Sequence, residues 1–193
     1  MIRIGVLGDI GSGKSYVAKS FGYPVFNADH EVSQLYKSDK KIFLKLKKIL
    51  PKFIHTFPVD KSQITDAILT SDHNLKKIIK IIHKEISKKM NAFIKKNINK
   101  KIIVLDIPLL LENKLNREKD ILVFVHSKKS DILKNLKKRD NFNKKLYREF
   151  KNIQLPLDYK KKQSNFIIKN RFTKKSVKSA VTQILKQIKC LKK

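Results

Sequence analysis

Residues 8 to 15 read Gly-Asp-Ile-Gly-Ser-Gly-Lys-Ser, a full match to G-x-x-x-x-G-K-[ST], and they follow a short apolar run from Ile2 to Leu7. Few sequence features restrict a fold as tightly. The pattern needs a strand that stops at a glycine, a loop whose backbone N–H groups turn inward on an anion, and a helix that starts as the loop ends. Val17, Ala18 and Phe21 give that helix its apolar face. All five glycines of the chain fall at positions 5, 8, 11, 13 and 22, so a chain this poor in glycine places a specific backbone demand on this loop. A glycine turn that merely links strand to helix is the alternative, and Asp9 suits phosphate only if its carboxylate points away. Gly8, Gly11, Ser12, Gly13, Lys14 and Ser15 are the candidate nucleotide-binding residues, with Lys14 reaching the β- and γ-phosphates and the Ser15 hydroxyl ligating Mg²⁺. The motif alone does not separate a kinase from a GTPase or a motor ATPase.

The rest of the chain alternates strand and helix signals. Pro24-Val25-Phe26 leads into Asn27-Ala28-Asp29 as a short second strand ending at Asp29. Residues 32 to 50 have helical periodicity with a break at Ser38-Asp39, and Pro51 to Pro58 is punctuation. From Leu75 to Ile98 apolar residues recur at spacings of three and four with lysines between, which predicts one long amphipathic helix. Ile102 to Leu105 and Ile121 to Val125 are continuous apolar runs, as expected of parallel strands buried on both faces. A helix over 130 to 138, a charged and turn-rich stretch from Arg139 to Asn152, a strand at Phe166 to Ile168 and a last helix bearing Val177, Val181, Ile184, Ile188 and Leu191 complete the order. The predicted class is α/β: a P-loop NTPase with a parallel sheet of about five strands flanked by helices. The core is expected at 1–30 and 100–193, with a helical substrate-binding insertion at about 31–99 and a lid at about 139–152, all in one domain.

Three further residues are placed for chemistry. Asp29, one helix beyond the loop, could orient a hydroxyl and take its proton at the edge of a phosphate site, or could cap the following helix. Asp106, after Ile102-Ile103-Val104-Leu105, could hold a Mg²⁺-bound water or be a structural carboxylate beside Lys14. Arg139, in Lys137-Lys138-Arg139-Asp140, could serve phosphate oxygens from a lid, or could belong to a solvated charge run. His83 has no second histidine at metal-site spacing.

The formal charge of +30 raises nucleic acid as a partner, but its distribution tempers that reading. Residues 1 to 36 hold three basic and three acidic side chains, so the loop region is neutral, whereas Lys160 to Lys193 has twelve basic residues and no acidic one. The lysines sit beside apolar positions of helical period and read as solvated helix faces, leaving no specific nucleic-acid partner expected. A single cysteine, Cys190, and no apolar run near the ~20 residues of a spanning helix suit a cytoplasmic protein with no membrane association. A monomer or weak oligomer is expected.

With these residues in place the chain resembles the dephospho-CoA kinase family, nearly end to end. The resemblance is carried by Ile10-Gly11-Ser12-Gly13-Lys14-Ser15, Asn27-Ala28-Asp29, Leu105-Asp106-Ile107-Pro108-Leu109-Leu110-Leu111-Glu112, Lys138-Arg139-Asp140, Gln154-Leu155-Pro156 with Lys160, and Phe166-Ile167-Ile168-Lys169-Asn170. It implies ATP- and Mg²⁺-dependent phosphorylation of the ribose 3′-hydroxyl of dephospho-CoA, with a helical CoA-binding part and a lid. It also implies Asp29 as base, Lys14 and Arg139 in catalysis, Tyr16 serving phosphate through its backbone N–H, and Asn170 near the adenine. A nucleoside or nucleotide kinase and a basic nucleic-acid-binding ATPase are the other readings. The chain departs from the family where Asn27 replaces the first carboxylate of an Asp-x-Asp pair, and where Ser164-Asn165 replaces an Ala-Asp pair.

Overall fold

The computed structural model describes residues 1–140 and 142–190. Five strands, β1 (Ile2–Gly8), β2 (Val25–Asn27), β3 (Ile102–Asp106), β4 (Ile121–His126) and β5 (Phe166–Lys169), make one parallel sheet in the order β2-β3-β1-β4-β5. Strands are added on both sides of β1, so the carboxyl end of β1 is the switch point where open α/β sheets bind ligands. The glycine-rich loop leaves the sheet at that point. Register places Ile4 beside Val104, Asn27 beside Asp106 and Gly8 beside Val125.

Alternation along the strands sorts the two faces. On one, Ile4, Val6, Val104, Val123, Val125 and Ile168 meet α1 (Lys14–Ser20) and α9 (Lys174–Cys190), which contribute Val17, Ala18, Val177, Val181, Ile184 and Ile188. On the other, a Cβ at Gly5 would lie 2.6 Å from Leu110 and 2.9 Å from Leu122, so the segment after β3 folds back hard against β1. The Pro108-Leu109-Leu110 run is therefore a packing device, with Leu110 fully buried over a glycine. At the amino edge of the sheet, Arg3 pairs with Asp120 at 2.9 Å and donates to the Leu115 carbonyl, pinning the loop that enters β4. Burial is the larger influence on both partners: it lowers the Arg3 pKa and raises that of Asp120 against their mutual attraction.

Among the described residues two compact units form: a sheet unit (Met1–Asn27, Ile94–Phe142, Gln154–Lys193) and a helical unit (Ala28–Phe93, Asn143–Ile153). The helical unit holds α2 (Ala28–Ser38), α3 (Lys40–Ile49), α4 (Lys61–Thr70), most of α5 (Asp72–Lys96) and α7 (Lys144–Asn152). The break expected at Ser38-Asp39 is a helix boundary, because the Asp39 carboxylate accepts the Ile42 N–H at 3.0 Å and starts α3. In α5 the buried residues Leu75, Ile78, Ile82, Ile86, Met90 and Ile94 follow the predicted stripe. The helix stops earlier than its pattern suggests, leaving Ile98 exposed in the turn beyond.

The stretch from Arg139 to Asn152, read as turn-rich, contains the helix α7, capped by the Asn143 side chain on Leu146 N–H and packed on α4. Glu149 of α7 hydrogen-bonds Asp72 at the start of α5, and this contact raises the Glu149 pKa. α6 (Lys129–Lys137) and the short α8 (Leu157–Lys162) belong to the sheet unit. Leu191 lies outside the described residues. No described helix is long and apolar enough to cross a membrane.

Candidate phosphate-transfer site

The loop after β1 is built by backbone geometry that excludes side chains. Gly13 sits at φ 88°, and a Cβ there would strike the Asn170 Nδ2. Gly8 sits at φ 148°, and a Cβ there would come within 2.7 Å of the Val125 carbonyl. Between them the Ser12 N–H closes a turn on the Asp9 carbonyl at 3.1 Å, and α1 starts at Lys14. The Asp9 carboxylate accepts the N–H of Ile10 at 2.7 Å, which engages it in the turn itself. Lys14 Nζ is held at the loop by the carbonyls of Asp9 at 2.7 Å and Gly8 at 3.3 Å. Ser15 and Tyr16 are exposed in the first turn of α1.

The carboxylates are arranged differently from the sequence expectation. β2 ends at Asn27, not at Asp29; Asp29 is exposed in the first turn of α2, where a negative charge suits the helix dipole. It therefore falls in the helical unit, whereas the loop falls in the sheet unit. The strand-end position belongs to Asn27, whose Nδ2 donates to Asp106 Oδ2 at 2.7 Å. Asp106 is 3% exposed, and a second carboxylate at position 27 would set two like charges side by side. The amide donor removes that conflict and leaves Asp106 hydrogen-bonded. Asn165, also in place of a carboxylate, uses its acceptor instead: its Oδ1 accepts the Leu122 N–H at 2.8 Å, as a carboxylate oxygen would, and its backbone N–H returns to the Leu122 carbonyl.

Arg139 is exposed just beyond α6, its N–H bonded to the Leu136 carbonyl and its carbonyl accepting from Phe142 N–H. Asn170 is buried at the loop rather than open to a ligand. Its Nδ2 donates to the Ser12 carbonyl at 2.9 Å and its Oδ1 accepts the Phe172 N–H at 2.8 Å. The sheet unit thus gathers Lys14 and Asn170 at the loop and, at the ends of β2 and β3, pairs Asn27 with Asp106. Residue patterns missed Ser127, whose hydroxyl donates to the same Ser12 carbonyl at 3.0 Å, because one serine after a strand has no periodic signature. They also missed the buried ion pair of Glu112 with Lys160, 2.5 Å apart, since Lys160 opens a run of three lysines. Glu112 accepts the Leu155 N–H as well, which ties the end of the residue 108–112 segment to the chain re-entering the sheet unit.

The Dephospho-CoA kinase family model matches residues 2–176 of the chain. The chain belongs to the dephospho-CoA kinase family. Relatives in this family include a dephospho-CoA kinase of Wolbachia sp. subsp. Brugia malayi, 35% identical over 187 residues that cover 94% of this chain and 95% of that protein. The dephospho-CoA kinase of Wolbachia pipientis wMel is 36% identical over the same shares. Among solved structures, TT1252 from Thermus thermophilus superposes with a TM-score of 0.77 at 20% identity, covering 95% of each chain. Dephospho-CoA kinase from Campylobacter jejuni gives 0.62 at 19% identity over 96% of each chain, and both likenesses speak to the fold. Family membership makes the chain a kinase that uses ATP.

Proposed function

We propose that the chain transfers the γ-phosphoryl group of ATP to the ribose 3′-hydroxyl of dephospho-CoA, giving CoA and ADP. The observation that carries this reading is the side-chain-excluding loop from Gly8 to Ser15 with Lys14 tethered to it, in a chain of this family. Its N–H groups and Lys14 bind the phosphates and hold them in line for displacement. Asp29, exposed in the first turn of α2, orients the acceptor hydroxyl and takes its proton as the oxygen attacks phosphorus. Arg139 meets the charge that develops on the transferred group, and the lid expected at about 139–152, of which residue 141 lies outside the described residues, carries α7.

The residues present suit a divalent cation. Ser15 offers an exposed hydroxyl beside the cradle and Asp106 an anionic oxygen at the end of β3, a small donor set of the kind Mg²⁺ uses together with phosphate oxygens. Bound there, Mg²⁺ would neutralise charge on the β- and γ-phosphoryl oxygens, Asp106 acting through water. A cytoplasmic monomer or weak oligomer with no nucleic-acid or membrane partner accompanies this reading.

Turnover of ATP should be measured with dephospho-CoA, adenosine, nucleoside monophosphates and RNA offered separately. CoA should form only from the first. Asp29→Asn should lower kcat by about 10²- to 10⁴-fold with little change in ATP affinity. Failure to form CoA, or an Asp29→Asn enzyme that keeps most of its turnover, would remove this assignment, and RNA-stimulated hydrolysis with a steep salt dependence would replace it.

A further inference from the structure

The carbonyl of Ser12 accepts two side-chain donors from elsewhere in the sheet unit: the Ser127 hydroxyl at 3.0 Å and the Asn170 Nδ2 at 2.9 Å. Ser127 is the first residue after β4, and Asn170 the first after β5. These strands pair, His126 beside Lys169, and the Asn170 N–H closes the pairing on the His126 carbonyl at 2.8 Å. The two donors therefore stand on one rigid strand edge. Ser12 is fully buried and Asn170 is 3% exposed, so water does not compete for the Asn170 bond, while the half-buried Ser127 hydroxyl closes the clamp from its outer side.

A peptide unit is planar and trans, so its C=O and N–H point in opposite directions. Both lone pairs of the Ser12 carbonyl are used by the clamp, which fixes the plane of the Ser12–Gly13 peptide. The Gly13 N–H must then point away from Ser127 and Asn170. Gly13 has no room for a side chain on the clamp side, because the Asn170 amide fills the space of a Cβ. Without the clamp this peptide could flip, since glycine at φ 88° has several backbone wells of similar energy.

We infer that Ser127 and Asn170 are positioning residues of the nucleotide site: they lock the Ser12–Gly13 peptide so that the Gly13 N–H donates to an ATP phosphate oxygen. The inference rests on the ATP-binding reading of the loop. It assigns Asn170 to the loop backbone in place of the adenine, and gives Ser127 a role that no motif carries.

The test measures the dissociation constant of ATP by calorimetry, the KM of each substrate, and the thermal midpoint, for wild type, Ser127→Ala, Ser127→Thr, Asn170→Ala and the double alanine variant. Loss of one such hydrogen bond corresponds to about 3- to 10-fold weaker ATP binding. Each alanine variant should show that loss, the double variant a larger one, and Ser127→Thr should stay within about twofold of wild type by keeping the hydroxyl. The KM for dephospho-CoA should move by less than about twofold, which separates positioning of the loop from general loosening. Should Asn170→Ala fail to fold, the Ser127→Ala and Ser127→Thr pair decides. ATP binding unchanged in Ser127→Ala, or equal losses for both substrates in step with the thermal midpoint, overturns the clamp alone. Absence of ATP binding by the wild-type chain overturns the nucleotide reading and the clamp together.

Discussion

The sheet unit and the helical unit spend their polar groups in opposite ways. In the sheet unit charges and amides go inside: Arg3 on Asp120, Lys160 on Glu112, Asn170 on Ser12, Asn27 on Asp106. In the helical unit the recorded ion pairs lie at the surface, with Lys45 and Lys88 on Glu85 and Lys89 on Glu31, over an apolar stripe that supplies the packing. The difference follows from what each unit must hold still. A loop that excludes side chains at Gly8 and Gly13 is shaped by its backbone, and buried, directional partners are what hold its carbonyls and N–H groups in fixed directions. A helical unit that presents an outer surface needs an apolar side and solubility.

The largest expected effect tests the buried half of that comparison. Lys160→Met leaves Glu112 buried without its cation, which should destabilise the sheet unit by about 3–5 kcal/mol in chemical denaturation. Adding Glu112→Leu should recover most of this, because an apolar pair of similar volume needs no desolvation. The deficit that remains belongs to the Leu155 N–H, which loses its acceptor, and should be about 1–3 kcal/mol. If Lys160→Met alone costs under about 1 kcal/mol, burial of this pair does no more than a surface bridge and the contrast between the units collapses.

The surface half predicts a much smaller response. Lys45→Met should change stability by about 0.2–1 kcal/mol, less in ~1 M salt where the screening length is near 3 Å. Lys45 also lowers the pKa of Glu85 through their hydrogen bond, and Lys88 assists. A loss as large as that of Lys160→Met would show that these lysines are structural, and the reading of the +30 charge as solvated helix face would have to be given up.

How much of this was legible in residue patterns tracks the same divide. The loop, its strand and its helix were readable because the geometric demand is local and only glycine meets it at positions 8 and 13. The buried strands and the α5 stripe were readable from periodicity. Asp29 was displaced by two residues from its expected element because three-residue strands have no period, and the helix dipole accommodates a carboxylate at its start as readily as a strand end does. α4 and α7 were missed although each has a capping residue, Asp60 and Asn143, before apolar positions three or four apart. Dense lysine around those positions masked them. Ser127, Asn170 and Lys160 act through partners more than 40 residues away, and no local pattern reports such a pairing.

The smallest effect concerns α7, where the helical unit departs from its own rule by setting two carboxyl groups together. The hydrogen bond that the protonated Glu149 carboxyl donates to Asp72 raises the pKa of Glu149 above its ordinary 4.5, so the folded chain holds that proton to higher pH than the unfolded chain does. The contact is fully in place below the ordinary value and is lost as pH rises through the raised one. Above it, like charges separate the start of α5 from α7. Amide exchange in α7, corrected for its intrinsic pH dependence, should therefore become faster relative to α5 as pH climbs from acid to neutral. Glu149→Gln keeps the hydrogen bond without the charge and should flatten that trend, slowing α7 exchange at neutral pH. Identical pH profiles for the two proteins would mean that α4 packing alone holds α7. The surface of the helical unit would then be uniform in character, and its contrast with the sheet unit sharper still.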